Sequence, residues 1–347
     1  MFKPLRPPTL SWKEIPAVVA AIASFGMACA STTTTNALPV TSLEDGQRGI
    51  VSFESTTPTG PNEFVTRAAG AKAMITGVLS LPDTVTGPVP AVVILHGSSG
   101  VKPGEWVWAK RINELGFASF VVDSFTGRGI KNTEADQSQL SMTADIADAY
   151  AALRLLSTNP RVDKKRIGVM GFSRGGIAAL YSSLEPFRRA AIDDDLRFAA
   201  HVAFYPSCGI HYTAAHLDGA PILVLLGGKD DYTPATPCVE YVSDLRAKGA
   251  RVLVKTYPDA YHGFDRPTPI RVVKRATSAR DCHGSHDLDT HEFTMRQGDR
   301  TVSGAEASAE ATRCLSHGVT LGGDPLGQEQ SPMDVAEFLR SVFETRK

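Results

Sequence analysis

Neither sign of charge dominates this chain. Across 347 residues, 36 lysines and arginines meet 37 aspartates and glutamates, for a formal net charge of -1. No basic surplus is available to neutralise a phosphate backbone, so nucleic acid is not the expected partner. Sustained apolar runs are equally scarce. Ile15 to Ala28 is shorter than the ~20 residues that a membrane-spanning helix needs. Preceded by Lys3, Arg6 and Lys13 and followed by Ala28-Cys29-Ala30, it reads as an export signal over residues 1–30, cleaved after Ala30. The alternatives are an uncleaved anchor and a lipid-bearing Cys29, which Gly26 and Met27 suit poorly. After cleavage no stable membrane span is expected, and the protein is expected in the periplasm or secreted.

Cysteine is sparse too, with five in the chain. Cleavage leaves Cys208, Cys238, Cys282 and Cys314, an even number entering an oxidising compartment, so two disulfides are expected. Cys208 and Cys238 each follow a predicted strand and share a sheet edge, which favours Cys208 with Cys238 and Cys282 with Cys314. Internal repeats are absent, and no second core is needed.

What is present is a 42% hydrophobic composition, enough for a full α/β core. A threonine-rich tract over 31–37 reads as a flexible tether, and the domain as 38–347. Apolar, β-branched runs recur at Ile50–Phe53, Met74–Leu79, Ala91–Leu95, Ala118–Val122, Ile167–Met170, Ala200–Phe204, Ile222–Leu226 and Val252–Tyr257, predicting eight strands. Helical patterns fall over Glu105–Leu115, Leu140–Leu156, Gly175–Leu184, Cys238–Lys248 and Pro332–Phe343. Alternation of this kind predicts an α/β fold with a mostly parallel eight-stranded sheet and helices on both faces. Residues 266–330, polar and histidine-bearing, read as an insertion before the last helix, either a lid or a surface loop.

The most informative segment is Gly171-Phe172-Ser173-Arg174-Gly175, set between a predicted strand and a predicted helix. A serine at such a turn is held in a strained conformation that lifts its hydroxyl clear of the sheet, and the glycines let strand and helix approach closely. A serine hydroxyl needs a neighbouring base, and the base needs a third group to fix its tautomer. In α/β-hydrolases these follow in the order Ser, acid, His. Here the seventh predicted strand ends in Gly227-Gly228-Lys229-Asp230-Asp231, giving Asp230 as the acid with Asp231 in reserve. The eighth ends in Pro258-Asp259-Ala260-Tyr261-His262, giving His262 as the base. Oxyanion donors are expected from the backbone amides of Arg174, directly after the nucleophile, and of Ser98 in the loop His96-Gly97-Ser98-Ser99-Gly100.

These residues, with Val122-Asp123-Ser124-Phe125, Arg128 and Ala260-Tyr261-His262-Gly263-Phe264, resemble the dienelactone hydrolase family of α/β-hydrolases from about Val92 to His262 and again in the last helix. The resemblance implies an α/β-hydrolase fold acting on a small-molecule ester or lactone without metal or cofactor, with Ser173 as nucleophile, Asp230 as acid and His262 as base. Two departures stand out. Dienelactone-opening members use a cysteine nucleophile tuned by a glutamate, where this chain has Ser173 and, near the glutamate's place, Gly97. They also hold the substrate carboxylate with an arginine whose place Arg128 approaches with one residue inserted, making Arg128 a candidate substrate-binding residue. Competing readings are a serine peptidase of the prolyl-oligopeptidase type, although no propeller domain precedes the core, and a non-catalytic envelope binding protein on the same scaffold. A zinc site built on Cys282, His283, His286 and their neighbours is the alternative to a disulfide there.

Overall fold

Val89–Leu95 carries no polar side chain, and all of its residues are buried. A strand apolar on both faces belongs in the interior of a sheet covered on both sides. The computed structural model describes residues 39–344 apart from 69 and 83–86. The export signal over 1–30, with Cys29, and the tether over 31–37 lie outside the described residues. In chain order the first elements are β1 (Gly49–Thr57), α1 (Pro61–Val65), β2 (Ala71–Ser80), β3 (Val89–Leu95), α2 (Pro103–Glu114), β4 (Ala118–Asp123), α3 (Met142–Leu156) and β5 (Val162–Phe172). There follow α4 (Arg174–Tyr181), α5 (Glu185–Ala191), β6 (Ala200–Phe204), β7 (Ile210–Thr213), β8 (Ile222–Gly227), α6 (Ala235–Ala247) and β9 (Val252–Tyr257). The last are β10 (Arg271–Ser278), β11 (Gly284–Asp287), β12 (Phe293–Gln297), β13 (Arg300–Ser303), α7 (Gly304–Arg313), β14 (Ser316–Leu321) and α8 (Pro325–Glu344).

The main sheet has eight strands in the order β1-β2-β4-β3-β5-β6-β8-β9. From β4 to β9 the pairings are parallel, whereas β2 runs antiparallel to both β1 and β4. All eight predicted strands lie in this sheet. Side chains alternate across it with the period of two that a strand imposes. In β3, Ala91, Val93 and Leu95 join the cluster that includes α3, α4, α5 and α6, while Val92 and Ile94 join the one that includes α2 and α8. Two helical layers therefore enclose one sheet. Ile94 is fully buried, and truncating such a residue to alanine costs about 2–5 kcal/mol.

Residues 266–330 are more ordered than their polarity implies. They hold β10 to β14 and α7, and the last helix starts at Pro325 instead of Pro332. β10 pairs with β14, and β11, β12 and β13 form a small sheet with β7. A separate core of Cys282, Met295, Val302 and Ala307 supports this region. Disulfides link Cys208 to Cys238 and Cys282 to Cys314. The second bond closes a loop of 32 residues around too few apolar side chains to form a sizeable core, a setting in which a covalent tie contributes most. With Cys282 so engaged, no group of three or more His, Cys, Asp or Glu among the described residues is arranged to hold a metal ion. No helix among them is long and apolar enough to cross a membrane.

Candidate active site

Ser173 follows the last residue of β5 and caps α4, with φ 55° and ψ -114°. A positive φ is costly for a residue with a side chain, by about 1–3 kcal/mol. The surrounding turn imposes it: a Cβ at Gly171 would collide with the carbonyl of Gly175, and one at Gly175 with the carbonyl of Leu95. Only glycines permit so sharp a passage from strand to helix. The Ser173 backbone is fixed by donating its N–H to Phe204 O at 2.9 Å and accepting from Ile177 N at 2.8 Å. Its side chain faces a cavity of about 670 Å³ shared with His262, Ser98, Trp108, Phe172 and Leu321.

The loops after β8 and β9 bring Asp230 and His262 together. Asp230 Oδ2 lies 2.8 Å from His262 Nδ1, while its Oδ1 accepts the N–H groups of Tyr232 and Thr233 at 2.8 and 2.9 Å. A carboxylate facing Nδ1 favours the tautomer that carries its proton there and leaves Nε2 as the acceptor. The Thr233 hydroxyl lies 3.0 Å from each of Asp230 Oδ2, His262 Nδ1 and Tyr205 O. The imidazole packs against the rings of Tyr205 and Tyr232, at centroid distances of 4.5 and 4.7 Å. Burial pushes the Tyr232 phenol up to about 12. It raises the Tyr205 phenol well above its ordinary value too, with Asp265 adding to the effect. Both rings therefore flank the histidine in neutral form. Ser173 and His262 make no hydrogen bond to each other, and such contacts commonly tighten only when substrate binds.

The loop after β3 lies against the turn at Ser173. A Cβ on Gly97 would stand 3.2 Å from Phe172 O and 3.5 Å from the Cβ of Ser173. Beside it, Ser98 accepts Thr133 N–H on its carbonyl at 2.8 Å and joins its hydroxyl to the Gln137 amide group at 3.0–3.1 Å. Gln137 also donates to the Tyr232 hydroxyl at 3.2 Å and accepts from Arg174 Nη1 at 3.3 Å. The Arg174 guanidinium is buried against Asp145, with Nε 2.8 Å from Oδ2. Its side chain thus braces the Ser98 loop from beneath while its amide opens α4, where no earlier turn supplies an acceptor.

The position of Arg128 corrects one expectation. Its guanidinium is bidentate to Asp148 at 2.7 and 2.8 Å and donates to Ser124 O, Thr56 O and Thr57 Oγ1. The side chain is only 6% exposed and does not line the cavity. Every N–H direction is occupied in tying β1, α3 and the loop after β4 together, so no donor remains for a substrate. Asp231 makes no hydrogen bond to His262; its carboxylate accepts from Thr320 N and Oγ1. Sequence reasoning missed Thr233, Tyr205, Tyr232, Gln137 and a cluster beside the cavity: Trp108 Nε1 and Tyr205 OH both donate to Asp265, and Arg266 pairs with buried Glu105. For Asp265 and Arg266 the available signal was their place just after His262.

A mostly parallel sheet with this strand order, a serine turn at the end of β5 and an Asp–His pair on the loops after β8 and β9 define an α/β-hydrolase. The dienelactone hydrolase family model matches residues 75–284, more than half of the chain. The chain belongs to the dienelactone hydrolase family, whose members are carboxylic ester hydrolases. Among similar proteins, one from Yersinia pestis named "Putative carboxymethylenebutenolidase" is 27% identical over 212 residues, covering 58% of this chain and 78% of that protein. "Uncharacterized peptidase YtmA" of Bacillus subtilis is 35% identical over 97 residues, or 28% of this chain and 37% of that protein. The solved structure titled "m3DLH" is 20% identical with a TM-score of 0.52, covering 85% of this chain and 99% of that one, a likeness of fold.

Proposed function

We propose that the protein is a serine hydrolase that cleaves carboxylic esters or lactones through an acyl-enzyme intermediate. Ser173 Oγ attacks the acyl carbon as His262 Nε2 takes its proton, and Asp230 steadies the imidazolium. His262 then protonates the departing alcohol, and water repeats the sequence to free the acid. The observation that carries this reading is the 2.8 Å Asp230–His262 contact on the rim of the cavity that a strained Ser173 faces.

The developing oxyanion is received by the amides of Ser98 and Arg174. Among the described residues the Ser98 amide has no acceptor of its own, which supports this role. Each such donor is typically worth about 3–4 kcal/mol of barrier. Serine in place of cysteine, and Gly97 near the place of a tuning glutamate, favour ordinary esters and lactones over dienelactone. The same reading has the enzyme working outside the cytoplasm after loss of residues 1–30, supported by two disulfides.

The test is hydrolysis of p-nitrophenyl esters and lactones of increasing chain length by wild type and Ser173→Ala. The substitution is expected to lower kcat by at least about 10³-fold. A variant with ordinary activity would end the proposal.

A further inference from the structure

We propose that the edge of β14, at Thr320–Gly322, staples the acid loop to the histidine loop, and that Asp231 is a positioning residue acting through it. This rests on the triad reading above. Thr320 donates its N–H to Asp231 Oδ1 at 2.6 Å and its hydroxyl to Oδ2 at 2.8 Å. Two residues on, Gly322 donates its N–H to His262 O at 3.0 Å, and Leu321 between them forms a parallel bridge with His262. Alternate residues of a strand present their N–H groups to the same edge. One short strand edge therefore holds the neighbour of Asp230 with one donor and His262 itself with the next.

The staple is anchored on its far side. Arg280 Nη1 donates both to Asp231 O and to Gly318 O, at 2.7 and 2.8 Å. Ser278, at the end of β10, donates its hydroxyl to Tyr232 O at 2.8 Å. Thr277 donates its N–H to Glu134 O at 2.8 Å and its hydroxyl to Ala135 O at 2.7 Å, ahead of the Gln137 that holds Ser98. The β10–β14 ribbon thus grips three loops that surround the cavity, and the Cys282–Cys314 disulfide closes the chain between its two strands. Residues 266–330 accordingly do more than cover the site: they set the separation of its acid and base.

Kinetics of Asp231→Ala, Asp231→Asn and Thr320→Val on a p-nitrophenyl ester test this, with Ser173→Ala alongside. Misplacing a catalytic group by about 1 Å can cost on the order of 10²-fold. Asp231→Ala is therefore expected to lower kcat at least about tenfold, with KM within about twofold. Asp231→Asn keeps an acceptor for Thr320 N–H and is expected to recover most of the loss. A wild-type kcat in Asp231→Ala, a loss confined to KM, or no rescue by asparagine would each overturn the proposal. If Asp231→Ala does not fold, Thr320→Val decides: a lowered kcat supports the staple and an unchanged one overturns it. Failure of the triad would show separately, as activity retained in Ser173→Ala.

Discussion

Asp230 engages both carboxylate oxygens: Oδ2 meets His262 Nδ1 at 2.8 Å, and Oδ1 accepts two N–H groups of its own loop. The acid is thereby oriented before any substrate arrives, whereas the adjacent Asp231 points to Thr320. Asp230→Asn is expected to lower kcat by about 10⁴-fold by favouring the wrong histidine tautomer, and Asp231→Asn by no more than about threefold. Steady-state kinetics of the two variants distinguish these roles. Equal losses would contradict the assignment.

Ser173 holds φ 55°, so its Cβ is a standing cost to the fold. Two inactive variants isolate it. Ser173→Gly relieves the strain and Ser173→Ala keeps it, and the glycine variant should be more stable by about 1 kcal/mol. Urea unfolding of both measures the difference.

Arg128 and Asp148 form a buried pair, with side chains 6% and 0% exposed. Removing one partner strands the other charge, which typically costs about 3–5 kcal/mol. Arg128→Ala should therefore lose stability on that scale while the folded fraction keeps the wild-type KM for anionic and neutral esters alike. A raised KM confined to anionic substrates would restore Arg128 as a binding residue.

The Cys282–Cys314 bond ties a region with only four buried residues in its own core. Replacing both cysteines with serine should lower stability by about 2–4 kcal/mol. Activity should fall with it, because the bond joins the chain between β10 and β14, whose Ser278 and Thr320 hold the acid loop and whose following Gly322 holds His262. Peptide mapping without reductant should recover the 208–238 and 282–314 pairs.

Much of the architecture is legible in the sequence because the main sheet is built from apolar runs. Ala91–Leu95 or Ile222–Leu226 leaves little choice but a buried strand. The loops after β8 and β9 can be placed for the same reason, and with them Asp230 and His262. β11 is different: Gly284–Asp287 has no apolar residue. It is a strand because β7 and β12 flank it and a disulfide begins at Cys282, none of which is local. α8 carries Pro332 in its interior, although proline ordinarily marks a helix start; the helix begins about two turns earlier, at Pro325.

Arg128 shows the limit most clearly. Its distance from β4 suits a cavity residue, but Asp148, four residues before the Ala152 that faces the core, draws it under the sheet edge. Nothing local in the sequence reports that pairing. Tyr205 and Tyr232 escape notice similarly, since their packing on His262 depends on two loops meeting.

The most direct test is to treat the purified protein with a fluorophosphonate probe and locate the adduct by mass spectrometry of its peptides. One stoichiometric adduct is expected, on Ser173, and it is expected to be lost in His262→Ala. An unmodified Ser173, or an adduct on another residue with Ser173 intact, would contradict it.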